Sequence, residues 1–351
     1  MKTMSIRTAK QLVEAGFIPS EKKTSIEKVA ENFSIALTPQ IVELLQSDGL
    51  TEFDKKAIAK QYVPDEQELT IADEELKDPI GDDNHTVVKG LMHRYPDRCL
   101  LMPITVCPVY CRFCFRREKV GPGQKALSEE ELNAAFEYIA AKKEIWEVIL
   151  TGGDPFMLNP KQLGKILQRL EMIEHVEVIR IHTKIPLIDS KRITPELIHA
   201  LKIKKAVYVA LHCNHPAEFT ETVKTTCAQI IDAGIPMLSQ TVLLKGVNDT
   251  PEVMGELMRT FVKNRIKPYY LHHGDLAEGT SHFRTTLEEG QALMKALQGR
   301  YSGLCLPTYV LDIPDGYGKA PINGSYVTSK KVCDKTCYQV EDYQGNLHSY
   351  P

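Results

Sequence analysis

From about residue 86 onward, short apolar runs of strand length alternate with longer amphipathic segments, and nothing else in the chain restricts its fold as tightly. The runs are residues 100–106, 147–150, 176–181, 206–212, 237–244, 268–272 and 306–313. The segments between them have recognisable helix starts. Ser128-Glu129-Glu130-Glu131 reads as a capping box, and Thr194-Pro195-Glu196 as an N-cap followed by proline at the first helical position. Strand–helix alternation repeated about six times predicts an α/β protein with a parallel sheet and helices outside it. Periodicity alone does not separate an open sheet from a closed or partial barrel; in either case the C-terminal strand ends carry the site.

Residues 1–85 have a different texture. They are polar and acidic, with helical periodicity at 35–37 and 41–45, and the turn-forming stretch Asp78-Pro79-Ile80-Gly81-Asp82-Asp83-Asn84 marks the boundary to the next unit. The expected division is a mainly helical region at 1–85, the α/β core at 86–325 and a short tail at 326–351. Forty-three basic residues against 46 acidic ones give a formal charge of -3, which excludes a strongly basic nucleic-acid footprint. No apolar run has membrane-spanning length, and the N-terminus lacks the apolar stretch of a secretion signal. Nine cysteines, an odd number, are not spaced as a disulfide framework. A cytoplasmic protein with thiols held for metal binding or chemistry is the expectation.

Three of those thiols fall within eight residues, in Cys107-Pro108-Val109-Tyr110-Cys111-Arg112-Phe113-Cys114, on the loop after the first of the seven apolar runs. Three thiolates converging on a four-iron cubane leave one iron open to another ligand. A four-cysteine zinc site needs a further ligand, and a thioredoxin-like redox site needs only two cysteines.

This CxxxCxxC motif resembles that of the radical S-adenosylmethionine (radical SAM) superfamily, whose usual fold is a partial six-unit (β/α) barrel. Further segments resemble the lysine 2,3-aminomutase family within it, in the same order and spacing: His93-Arg94-Tyr95-Pro96-Asp97-Arg98, Thr151-Gly152-Gly153-Asp154-Pro155, His212-Cys213-Asn214-His215-Pro216, Gly246-Val247-Asn248-Asp249 and His282-Phe283-Arg284-Thr285. The resemblance runs from about residue 80 to the end. It implies a partial (β/α)6 radical SAM barrel, a [4Fe-4S] cluster on Cys107, Cys111 and Cys114, and S-adenosylmethionine bound at the open iron.

The same resemblance assigns the remaining candidates. Alone, Gly316-Tyr317-Gly318-Lys319 reads as an exposed lysine beside a turn; in this family that position binds pyridoxal 5'-phosphate as a Schiff base, with Arg94 and Tyr95 as phosphate anchors. Gly152, Gly153 and Asp154 correspond to the segment that holds the methionyl amine of S-adenosylmethionine, the glycines allowing close approach and the carboxylate accepting from an ammonium group. His212 and Gln240 match positions near the same cofactor. Arg116 matches the receptor of the substrate α-carboxylate, its neighbour Arg117 reads as structural or cofactor-proximal, and Asp275 and Asp312 match two carboxylates that hold the distant ammonium of lysine.

The chain departs from the longer members of that family. Thr250 follows Asp249 where they carry a zinc-binding cysteine, and Cys333 and Cys337 form only a loose pair, so no structural zinc is expected at the family position. Size and the Tyr270-Leu271-His272 stretch resemble the compact aminomutases that make β-lysine for elongation factor P, although those lack the second acid present here as Asp312. The expected reaction is conversion of L-lysine to L-β-lysine, with arginine a distant second substrate and glutamate last. An amino acid as small-molecule substrate, a flavodoxin- or ferredoxin-type reductant and a second copy of the chain are the expected partners, with neither nucleic acid nor membrane. Two other readings compete: a radical SAM modifying enzyme without pyridoxal phosphate, and an iron–sulfur electron carrier. A carrier normally saturates its cluster with four protein ligands.

Overall fold

The computed structural model describes residues 4–121, 125–332 and 335–350. Four helices open the chain: α1 (Ala9–Glu14), α2 (Lys23–Asn32), α3 (Pro39–Leu45) and α4 (Glu52–Tyr62). The α4 helix starts on a reciprocal capping box, in which the Thr51 hydroxyl accepts from the Asp54 N–H and the Asp54 carboxylate accepts from the Thr51 N–H. Residues 35–37 were expected to be helical and are extended instead. Thr38 is the N-cap of α3, and Pro39 disfavours helical backbone at the residue before it, so the helix cannot reach back through Thr38. Leu37 instead exchanges two backbone hydrogen bonds of 3.0 Å with Ile6.

Ten strands then form one sheet in chain order: β1 (Thr86–Val88), β2 (Leu91–Tyr95), β3 (Arg98–Ile104), β4 (Glu147–Gly152), β5 (Val178–Thr183), β6 (Ala206–His212), β7 (Met237–Val242), β8 (Ile266–His272), β9 (Thr308–Ile313) and β10 (Gly318–Pro321). Neighbours from β3 to β9 are parallel, while β1, β2 and β10 add antiparallel edges. Six crossovers join the parallel strands through α5 (Glu129–Ala141), α6 (Pro160–Glu171), α7 (Ile185–Ile188) with α8 (Pro195–Ala200), α9 (Glu221–Asp232), α10 (Pro251–Lys263) and α11 (Leu287–Leu297). Right-handed crossovers between strands that follow in chain order put the crossover helices on one face, so the sheet curls around what lies on the other. Among the described residues no pairing joins β10 to β1, and the sheet is a partial (β/α)6 barrel.

The helix starts follow the sequence. Ser128 caps α5 with Glu131 reciprocating, and Thr194 caps α8 with Pro195 in its first turn. On α6, Leu163, Ile166, Leu167 and Leu170 are buried, a three–four spacing that turns one stripe to the sheet. The main apolar core runs from Ile6 through the N-terminal helices to Tyr309 on β9, and a small second cluster joins Ala57, Leu244, Val247 and Phe283. Beyond β10, strands β11 (Val327–Val332), β12 (Lys335–Glu341) and β13 (Leu347–Tyr350) form an antiparallel meander of their own where the sequence suggested only a tail. Among the described residues no helix is long and apolar enough to cross a membrane.

Candidate active site

The cysteine loop leaves β3 and is gripped from both sides. On one side, Gly153 and Asp154 at the end of β4 donate backbone hydrogen bonds to Ile104 and Val106 at 2.9 and 3.0 Å. A Cβ on Gly153 would stand 2.4 Å from the Val106 carbonyl oxygen and 2.6 Å from Thr105 backbone, so only glycine permits this approach. The glycines thus admit the chain's own backbone rather than a ligand alone. On the other side, the N-terminal region holds the loop from behind. The Tyr110 N–H donates to Ala36 and the Arg112 N–H to Gln61, and the wholly buried Arg112 guanidinium forks onto Glu68 at 2.9 and 2.6 Å. Arg117 joins the same Glu68 carboxylate and donates to the Glu278 and Gly279 carbonyls, which makes it structural.

The result is a cavity of about 470 Å³ lined by all fourteen residues that the resemblance assigns to the cluster, the cofactors and the substrate. Cys107, Cys111 and Cys114 are free thiols in its wall. Burial pushes all three up, Cys111 to about 12, and a bound metal favours the thiolates that burial disfavours. No three His, Cys, Asp or Glu side chains among the described residues converge on one ion. A polynuclear cluster asks only one thiolate per iron, so the loop fits it. Cys333 and the side chain of Cys337 lie outside the described residues. Thr250 caps α10, its hydroxyl accepting from the Val253 N–H at 3.3 Å.

Asp154 differs from its expected part. Its carboxylate accepts from the Phe156, Lys184 and Ile185 N–H groups and from the Thr183 hydroxyl, at 2.7–3.2 Å. A carboxylate has about four lone-pair sites, so these donors fill it and leave no place for a ligand ammonium. Burial still lifts it to about 6 against the pull of those donors. Asp154 braces the ends of β4 and β5; its own carboxylate is not the receptor the sequence suggested.

Lys319 also sits differently. It was expected at a turn, and it is the second residue of β10, register partner of Asp312 on β9. The turn precedes it: Asp315, Gly316 and Gly318 all have positive φ, and a Cβ on Gly318 would meet the Tyr95 hydroxyl at 2.9 Å. That hydroxyl accepts from the Lys319 N–H at 2.7 Å, so Tyr95 fixes the lysine backbone. Lys319 Nζ donates to Asp312 Oδ1 at 2.7 Å, His272 Nδ1 lies 3.2 Å from Asp312 Oδ2, and His272 Nε2 lies 2.9 Å from Gln240 Nε2. Burial opposes ionisation of Asp312, but His272 and Lys319 hold it well below the usual carboxylate range.

Arg94 and Arg116 share a partner that sequence reasoning missed. Asp82 accepts from Arg94 Nη2 at 3.1 Å and from Arg116 Nε at 2.6 Å, and all three side chains are buried. Burial works against the Asp82 carboxylate, yet Arg116 and then Arg94 hold it low. Arg94 keeps a buried Nε without a partner, a free donor in the cavity wall. Asp275 is the unpaired acid: its Oδ1 is buried without a partner, and burial together with the Asp312 charge raises it to about 8. Burial and nearby cations push His212 down to about 3, so its ring is neutral. In the sequence Asp82 shows only as part of a turn. Lys184 (paired with Glu218 at 3.1 Å beside the cysteines) and Arg180 (forked onto Glu147) carry no motif signal, and His272 stands in a family-like stretch that assigns it no role.

Three thiols, a lysine held by a carboxylate and several unpartnered polar atoms in one barrel cavity define an enzyme of the radical SAM class, and residues 101–258 match the radical SAM superfamily. Residues 294–351 match the family described as lysine-2,3-aminomutase. The L-lysine 2,3-aminomutase of Fusobacterium nucleatum is 38% identical over 93% of this chain and 75% of its own length. The L-lysine 2,3-aminomutase of Acetoanaerobium sticklandii is 39% identical over 93% and 78%. The glutamate 2,3-aminomutase of Clostridioides difficile is 34% identical over 89% and 73%. The chain belongs to the lysine 2,3-aminomutase family. It is an isomerase of the radical SAM superfamily whose cofactors are a [4Fe-4S] cluster, S-adenosylmethionine and pyridoxal phosphate.

Proposed function

We propose that this isomerase moves the α-amino group of L-lysine to the neighbouring carbon, giving L-β-lysine. The observation that carries the substrate choice is the buried, unpartnered Asp275 carboxyl in the cavity that also holds Lys319 and Arg116. Cys107, Cys111 and Cys114 would hold the cluster, and Gly152, Gly153, His212 and Gln240 would face S-adenosylmethionine, with Asp154 bracing that wall. Lys319 would hold pyridoxal phosphate, with the free Arg94 Nε toward its phosphate and Tyr95 fixing the lysine. When bound, the cluster and S-adenosylmethionine supply hydrogen-atom abstraction, and pyridoxal phosphate supplies a π-system that spreads unpaired spin.

The chain's own groups do the rest. Arg116 spends its Nε on Asp82, which leaves its two Nη groups to fork a substrate α-carboxylate. Every α-amino acid offers that carboxylate, so discrimination falls to the far end of the side chain. Asp275 and Asp312 favour a terminal cation there. A desolvated glutamate carboxylate facing them costs several kcal/mol, roughly a thousandfold in selectivity. The longer planar head of arginine needs more room than lysine. The buried wall excludes water from the reacting atoms.

The reading extends to a helical part at 1–85, a barrel at 86–325 and a tail at 326–351, to a flavodoxin- or ferredoxin-type reductant, to a homo-oligomer and to the cytoplasm. The test is anaerobic incubation with S-adenosylmethionine, pyridoxal phosphate and reductant against lysine, arginine, glutamate and alanine. Only lysine should give appreciable β-amino acid. Glutamate or alanine turning over as fast as lysine overturns the substrate assignment.

A further inference from the structure

We infer that His272 is a positioning residue that couples the two halves of the cavity, so that capture of Lys319 by pyridoxal phosphate tightens the binding of S-adenosylmethionine. The inference rests on the cofactor reading above. Its ground is a hydrogen-bonded chain across β7, β8, β9 and β10: Gln240, His272, Asp312 and Lys319.

The chemistry of the partners fixes the direction of each bond. Asp312 is ionised and only accepts, so His272 Nδ1 carries the hydrogen. Burial lowers the His272 pKa and keeps the ring neutral, so Nε2 bears a lone pair and accepts from the Gln240 amide nitrogen. That bond turns Gln240 Oε1 the other way. This oxygen is buried and has no partner, and the residue lines the cavity. The amide cannot turn round without setting two acceptors against each other. Gln240 therefore presents an acceptor to the ligand because His272 holds its other end.

Lys319 closes the chain by donating to the second oxygen of Asp312. Condensation of its amine with an aldehyde carbon releases water, the ammonium proton passes to solvent, and that donor to Asp312 is withdrawn. Asp312 then leans on His272 alone, and the stronger pull on Nδ1–H makes Nε2 a better acceptor for Gln240. The Gln240 oxygen is held more firmly, and a donor-bearing ligand meets a more ordered site. By linkage, S-adenosylmethionine must raise the affinity for pyridoxal phosphate by the same factor.

The test uses the cluster-loaded protein under anaerobic conditions without reductant, so that no turnover occurs. S-adenosylmethionine is titrated with and without pyridoxal phosphate, following the heat of binding. The wild-type protein should bind about fivefold more tightly with pyridoxal phosphate present. His272→Leu should bring the ratio to one, and so should Gln240→Leu, which leaves His272 and Asp312 in place. His272→Gln should keep it, because a neutral amide donates to Asp312 and accepts from Gln240 at once. A wild-type ratio of one, a ratio kept in either leucine variant, or one lost in His272→Gln overturns the inference. If the wild-type protein takes up no pyridoxal phosphate on Lys319 or no S-adenosylmethionine, the cofactor reading itself fails. Independent binding of both defeats the coupling alone.

Discussion

Lys319 and Asp312 are register partners across the β9–β10 pair, and their side chains meet at 2.7 Å on the cavity wall. The pairing delivers an amine to a fixed place without a loop to carry it. Lys319→Ala should abolish the visible absorbance of protein-bound pyridoxal phosphate and leave the iron content unchanged. Borohydride reduction and peptide mapping of the wild-type protein should place the pyridoxyl group on Lys319 and on no other lysine.

Asp82→Asn should damage two functions at once. It leaves the buried Arg94 and Arg116 guanidinium groups without their shared carboxylate, at a cost of about 3 kcal/mol in stability. Chemical denaturation reads that loss. Pyridoxal phosphate affinity should fall through Arg94, and the KM for lysine should rise through Arg116. A change in only one of the two would show that the shared partner is not what positions both.

Gly153→Ala should act on the cluster without touching a cysteine. The new Cβ runs into backbone at Thr105 and Val106, which cannot move aside as a side chain can. The strain is about 1–3 kcal/mol and falls on the strand end from which Cys107 departs. Iron bound per chain after reconstitution should drop while far-UV circular dichroism stays close to wild type.

Asp275 sets a pH dependence whose sign is fixed by its raised pKa. The folded chain keeps this proton up to about pH 8, whereas an unfolded aspartate releases it near pH 3.9, so between those values the native state binds more protons than the unfolded one. Stability contributed by this group is complete below the unfolded pKa and is lost as pH rises toward 8. In ligand-free protein, the melting temperature of wild type should fall relative to Asp275→Asn across that window. Binding of a cationic substrate requires the carboxylate, so KM for lysine should rise by up to tenfold for each unit below about pH 8. A flat KM profile from pH 6 to 8 would count against Asp275 as the ammonium receptor.

The barrel was legible because each buried strand is an apolar run set off by helix caps, as Thr194 and Pro195 illustrate for α8. The site was legible where one motif fixes chemistry locally, as in the cysteine loop. What escaped depends on burial and on partners far away in the chain. The β1–β2 hairpin has strands of three and five residues at a sheet edge, too short for a periodicity to register. Asp82 sits in a stretch rich in turn residues, and turn chemistry says nothing of two arginines closing on it. Asp154 was given a ligand's ammonium because sequence shows the carboxylate and hides the four donors that fill it. His272 follows a tyrosine pair and a leucine in an ordinary strand, and only its neighbours on β7 and β9 give it a task.

The order of strands in the sheet is also the order in which a ribosome releases them. Cys107 to Asp154, which form the thiol end and its brace, emerge in the first half of synthesis and pack on helices already made. Lys319 arrives on the final strand of the sheet, which among the described residues pairs only with β9. A nascent chain therefore carries its three thiols, and the helices that grip their loop, well before it owns the amine of Lys319.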